Sequence, residues 1–138
     1  MKVKIKKIND GKIPEYKTNG SAGADCYSRI MWQVHPKEII RIPLGFAVEI
    51  PNGYEMQIRP RSGLATKGKQ GIFGTIDSDY RGEVCAIIYN SSDDEFVVKK
   101  GDRIAQCLIA PVIIASFNAV DKLSETERGN GGFGSTGK

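Results

Sequence analysis

The chain has 138 residues, 40% of them hydrophobic and 26% charged, a balance that suits one globular domain with its own core and excludes disordered and collagen-like classes. The 20 Lys and Arg against 16 Asp and Glu leave a net charge of only +4. Much of that excess is Lys2, Lys4, Lys6, Lys7 and Lys12, which read as the solvated face of a strand and not as a nucleic-acid surface.

Three separated cysteines and one histidine, His35, exclude a zinc site and suit reduced thiols in a cytoplasmic protein. No apolar run approaches the ~18 residues of a membrane span. The opening "MKVKIKK" lacks the apolar stretch of a signal peptide.

In chain order, "KVKIKKI" alternates with period two, and "EIIRIPLGFAVEIP" reads as two strands meeting at Pro43 to Gly45. "GYEMQIR" puts Tyr54, Met56 and Ile58 on one face. One helical turn fits near "SGLAT", and "EVCAIIYN", "EFVVKK" and "DRIAQCLIAPVII" continue the strand series. Strands recurring about every 8–12 residues between Gly, Pro, Asn and Asp signal an all-β sandwich, jelly roll or barrel. The composition changes near Ser124, dividing the chain into a β domain over 1–123 and a Gly-rich tail over 124–138. "IAQCLIAPVII" is apolar enough to be buried on both faces, by the domain or by a neighbouring copy.

Four polar clusters interrupt the strands: "SAGADC", "RPRSGLA", "GTIDSDYRGEV" and "GDRIAQ". Each alone reads equally well as a turn. Together they assemble the parts of a phosphate site. Arg61 offers a planar fork, Ser62 a hydroxyl, Gly63 close backbone approach and Gln106 an uncharged donor. Asp77 is a candidate base for a water attacking phosphorus, and Tyr80 a flat surface for a sugar. In the tail, Arg128, Ser135 and Thr136 are phosphate-binding residue types on a backbone able to turn N–H groups toward an anion. "GFGSTGK" matches G-x-x-x-x-G-K, but no strand pattern precedes it, so it does not read as a Walker A loop.

With "RGNGGFGSTG", the clusters form five ordered motifs from Ser21 to Gly137 that closely resemble the trimeric dUTP diphosphatase (dUTPase) family. The resemblance implies a distorted jelly-roll barrel, a homotrimer with exchange of the C-terminal strand and tail, and active sites between subunits. It implies hydrolysis of dUTP to dUMP and pyrophosphate, which keeps uracil out of DNA and supplies dUMP. In that reading Asp77 activates the water that attacks the α-phosphorus, and Tyr80 packs under the deoxyribose and excludes a 2′-hydroxyl. A hairpin leading through Gly71 and Gly74 into Thr75 and Ile76 reads the uracil edge, with Cys85 nearby. Arg61, Ser62, Gly63 and Gln106 hold phosphates. Asp25 acts behind them through metal-bound water, the Mg²⁺ being held chiefly by the triphosphate. The tail becomes a lid, with Phe133 over the uracil and Arg128, Gly134, Ser135 and Thr136 at the phosphates.

The segment "ATKGKQGIFGTID" departs from that pattern. It is shorter than in many bacterial members, which often carry Asn near the position of Gly71, and the departure bears on base selectivity. Two alternatives accompany the main reading. A dCTP deaminase on the same fold needs a Glu where Ile87 stands and an Arg where Thr66 stands. A catalytically silent, nucleotide-binding regulatory protein would have lost residues such as Asp77 and the lid, which are present.

Overall fold

The computed structural model describes residues 1–132. Its elements are, in chain order, β1 (Lys4–Lys7), β2 (Ala24–Tyr27), β3 (Trp32–Val34), β4 (Ile39–Pro43), β5 (Phe46–Glu49), β6 (Tyr54–Pro60), the single-turn helix α1 (Ser62–Ala65), β7 (Lys69–Ile72), β8 (Gly74–Ile76), β9 (Cys85–Asn90), β10 (Phe96–Val98) and β11 (Arg103–Pro111). Each strand expected from period-two alternation is present, as is the turn of helix at "SGLA". No described helix is long and apolar enough to cross a membrane.

All strand pairs are antiparallel. A four-stranded sheet runs β2-β11-β6-β8, a three-stranded sheet runs β4-β9-β7, and β1-β5 and β3-β10 form two-stranded pieces. Strand alternation sends Ile40 and Ile42, Met56 and Ile58, and Ala86 and Ile88 inward, where they meet Leu44, Phe46, Val48 and Val84 in one apolar core. Asn90 is fully buried within this core. Its amide nitrogen donates to the carbonyls of His35 (3.1 Å) and Asp94 (2.8 Å), and its oxygen accepts from the Ser92 hydroxyl at 2.6 Å. Among the described residues no buried side-chain N or O lacks a partner, as a close-packed interior requires.

β7 and β8 are neighbours in sequence but not in space. β7 pairs with β9 and β8 pairs with β6, so the chain crosses from one sheet to the other at Phe73. The segment leading into Thr75 is therefore not a hairpin paired to itself, as the sequence reading had it. Two other strands capture its halves, because the fixed pairings of β6 and β9 each leave an edge that a short strand can fill.

Regular structure ends at Pro111, well before the change in composition near Ser124. The intervening stretch remains apolar, which made it read as a continuing strand, yet Ile113 and Ile114 are 93% and 90% exposed. The burial expected for "IAQCLIAPVII" is met within the chain at Ile104, Ala105 and Cys107 only.

Phe46 has no exposed surface and stands at the centre of the core. Phe46→Ala is expected to destabilise the fold by about 3–5 kcal/mol, the lost transfer energy plus the cavity left behind. A urea-denaturation midpoint within error of the parent would contradict this placement.

Candidate functional site

Pairing of β2 with β11 sets Asp25 opposite Gln106, and pairing of β11 with β6 sets Gln106 opposite Arg59. Three of the sequence clusters are thus side by side on one sheet. A bulge between Arg103 and Ala105 adds the fourth member of the group. Arg103 and Gln106 are three residues apart and would face opposite sides of a regular strand. The extra residue turns Arg103 onto the side of Gln106. Its Nη1 donates to Asp25 Oδ2 at 3.0 Å, and Gln106 Nε2 lies 3.5 Å from Asp25 Oδ1. Arg61 leaves the end of β6, with Nη1 donating to the Arg103 carbonyl at 2.7 Å and Nε 3.9 Å from Asp25 Oδ1.

Asp25 is only 4% exposed. Its buried charge is balanced by these two guanidinium groups, which stand on its solvent side. The result is a cleft of about 290 Å³ floored by a buried carboxylate and rimmed by Arg61, Arg103, Gln106 and Lys17. Lys17 and Arg103 were not singled out in the sequence. Arg103 lay inside the quoted "GDRIAQ", but only a bulge aims it here. Lys17 Nζ is held at 2.5 Å by Glu15 Oε2, a pair that depresses the Glu15 carboxyl and raises the Lys17 ammonium. Ser62 and Gly63 stand exposed on α1 next to Arg61 and do not line this cleft in the single chain. A Cβ at Gly63 would meet nothing within 4 Å, so packing within the chain does not call for glycine there.

A second cleft, of about 270 Å³, lies beside β8 and β9. Gly74, Thr75, Ile76, Asp77, Tyr80 and Cys85 line it, together with Ile58, Ile72, Ile87, Arg41 and Glu83. Sequence reasoning placed the first six. It missed Arg41, which reaches the cleft from β4, where an Arg in an alternating strand reads as a solvated position. The floor is apolar and the rim polar, the usual make-up of a small-ligand site.

The turn Asp77 to Tyr80 closes with Tyr80 N–H donating to the Asp77 carbonyl at 3.2 Å. Arg81 braces it, its Nη1 donating to the carbonyls of Ser78 (2.7 Å) and Tyr80 (2.9 Å). The Tyr80 ring, 44% exposed, folds back over Gly82 and donates its hydroxyl to the Glu83 carbonyl at 3.2 Å. A Cβ on Gly82 would fall 2.2 Å from Tyr80 Oη, so the ring can take this place only because residue 82 is glycine. The Asp77 side chain is exposed and accepts no hydrogen bond from another described residue.

Gly71 does not line this cleft. Its open face lies against Pro60, whose Cα would be 2.8 Å from an added Cβ. Any side chain there would require Pro60 or β7 to shift. Arg128 is exposed, with Nε donating to the Gly131 carbonyl at 2.9 Å. Phe133, Gly134, Ser135 and Thr136 lie outside the described residues. The two clefts share no lining residue.

An all-β chain with a carboxylate and an aromatic in one cleft and paired arginines in another suits a ligand with both a flat and an anionic part, and sequence comparison makes the class specific. The dUTPase family profile matches residues 9–137, and the chain belongs to that family. It is 52% identical to the deoxyuridine 5′-triphosphate nucleotidohydrolase of Nautilia profundicola, with all of both chains covered. The enzyme of the same name from Treponema denticola is 49% identical over 95% of each chain. Among solved structures, the dUTPase of Staphylococcus bacteriophage 80alpha with dUpNHpp superposes with a TM-score of 0.93 at 28% identity, covering 99% of each chain.

Cys85 is half-buried in the wall of the second cleft, and this burial pushes its thiol above the ordinary value. A raised thiol holds less thiolate at neutral pH and gains it only as pH climbs past the usual cysteine range. Alkylation of Cys85 by iodoacetamide, followed by mass spectrometry, is expected to be slower at pH 7.5 than that of an unstructured cysteine peptide. The difference should narrow at alkaline pH. Labelling faster than the peptide at pH 7.5 would contradict this.

Proposed function

We propose that the chain hydrolyses dUTP to dUMP and pyrophosphate, the nucleoside lying in the Asp77–Tyr80 cleft and the triphosphate against Arg61, Arg103 and Gln106. The observation that carries this reading is the contrast between two carboxylates. Asp25 is buried and engaged by two arginines, whereas Asp77 is exposed and unengaged by the described residues. Only the second is free to accept a proton from water attacking the α-phosphorus. Tyr80 supplies a flat apolar face to the deoxyribose, and the Gly74–Ile76 strand supplies backbone groups to the base. The arginine forks take the charge of the phosphates, bidentate donors being well matched to them.

A divalent cation fits this donor set in one way. Mg²⁺ would arrive on the triphosphate, and Asp25, whose carboxylate floors the phosphate cleft, would reach it through water. When bound, it supplies neutralisation of phosphate charge.

The reading includes a homotrimer. It is supported by the separation of the two clefts in one chain, which leaves each without the other's chemistry. The exposed apolar side chains Ile113, Ile114, Phe117 and Leu123 also suit a segment that packs on a neighbouring copy. The segment 124–138 then acts as a lid, Arg128, Phe133, Gly134, Ser135 and Thr136 closing over the nucleotide.

Pyrophosphate release with Mg²⁺ from dUTP, dTTP, dCTP and UTP in parallel tests the assignment, with dUTP expected to be the one efficient substrate. Release of ammonia from dCTP would instead support the deaminase alternative. Asp77→Asn is expected to lower kcat by about 10²–10⁴ while leaving nucleotide affinity nearly unchanged. Retained turnover in that variant would remove Asp77 from the role of base. Cleavage by trypsin at Arg128 is expected to slow in the presence of a non-hydrolysable dUTP analogue, and equal rates with and without it would dismiss the lid.

A further inference from the structure

We propose that Arg29 is a positioning residue for the nucleoside cleft: its ion pair with Glu83 sets the place of the Tyr80 ring and so the choice between deoxyribose and ribose. The proposal rests on the reading of that cleft given above.

Arg29 follows β2 by two residues and does not line the cleft. It reaches Glu83 fork to fork, Nε to Oε1 at 2.8 Å and Nη2 to Oε2 at 3.2 Å. The two side chains are only 21% and 22% exposed, so the pair is screened less by solvent and salt than a surface pair. The same Glu83 Oε1 accepts the Gly45 N–H at 3.0 Å, which ties it to the β4–β5 turn as well. Arg29 is itself anchored, its N–H donating to the Pro43 carbonyl at 3.0 Å.

These contacts fix Glu83, and Glu83 fixes Tyr80. The carbonyl of Glu83 accepts the Tyr80 hydroxyl, and Gly82 between them forms the bed of the ring. Arg81 holds the Ser78 and Tyr80 carbonyls at the near end of the turn. The Arg29–Glu83 pair holds the far end, where the ring tip is seated. A ring displaced by a fraction of an ångström opens space beside the sugar, and that space is what a 2′-hydroxyl needs. Arg29 therefore acts on sugar choice without touching the substrate.

The test compares kcat/KM for dUTP and UTP in the parent, Arg29→Ala, Arg29→Lys, Glu83→Gln and the Arg29→Ala/Glu83→Gln double variant, with thermal melts of each. Arg29→Ala and Glu83→Gln are each expected to lower kcat/KM for dUTP about tenfold and the dUTP-to-UTP ratio about fivefold or more, since an ångström of misplacement can cost far more than that. The double variant should fall no further than the worse single one, because both remove one device. Arg29→Lys, which keeps the charge and one donor, should recover part of the ratio. A lower melting temperature with an unchanged ratio in Arg29→Ala and Glu83→Gln would reduce the pair to a structural tie and overturn the proposal. If Arg29→Ala does not fold, a parental ratio in both Arg29→Lys and Glu83→Gln overturns it equally. The cleft reading fails separately, in Tyr80→Ala: a dUTP-to-UTP ratio unchanged there would show that Tyr80 does not face the sugar.

Discussion

A carboxylate buried in a strand between two core residues is the constraint around which the molecule is arranged. Asp25 sits between Ala24 and Cys26, both buried, and its own exposure is 4%. An uncompensated charge there would cost several kcal/mol, and removing one partner from a buried pair typically costs about 3–5 kcal/mol. The β2–β11 register and the bulge at Arg103 provide the compensation. The Arg61 carbonyl contact then pins the end of β6 to the same place. Cations drawn in to balance Asp25 also line the cleft above it, so the solution to a folding problem leaves a positively charged rim.

The second cleft is built on a different principle. Its floor is apolar strand surface, and its polar groups sit on a turn stabilised by backbone carbonyls and the guanidinium of Arg81. Among the described residues the turn leaves the Asp77 carboxylate unengaged while its backbone carbonyls are braced by Arg81. A base must exchange protons, and a group locked into ion pairs does so poorly. The ion pairs at Asp25 hold Arg61 and Arg103 charged and still, as the proposed phosphate contacts require. The two carboxylates of the same residue type thus have opposite surroundings, one buried and ion-paired, the other exposed.

Much of this was readable from the chain. Period-two alternation marks β4, β6 and β9 because each has one face in the core, and Asp77, Tyr80, Arg61 and Gln106 lie in polar clusters that interrupt the strands and together hold the residue types of a phosphate site. The unreadable parts depend on contacts between distant residues. The Phe73 crossover is decided by the strands that capture β7 and β8, not by the segment itself. Arg103 reaches Asp25 only through a bulge, which shifts the alternation that a reader would apply. Glu83 was visible within "GTIDSDYRGEV", but its partner Arg29 lies 54 residues away in an unremarkable loop. The apolar stretch after Pro111 looked like a strand because composition records what a segment can bury and not where it does so.

Gly82 carries a consequence for how this chain can vary. The Tyr80 ring occupies the space where any other residue would place its Cβ. Every single-nucleotide change of a glycine codon is either silent or introduces a side chain or a stop. Position 82 therefore has no neutral neighbour reachable in one step while Tyr80 keeps its present orientation. A side chain at this site must displace the end of the Tyr80 ring, so a change at the glycine carries the tyrosine with it. The two positions are thus coupled by a steric contact between residues of one turn.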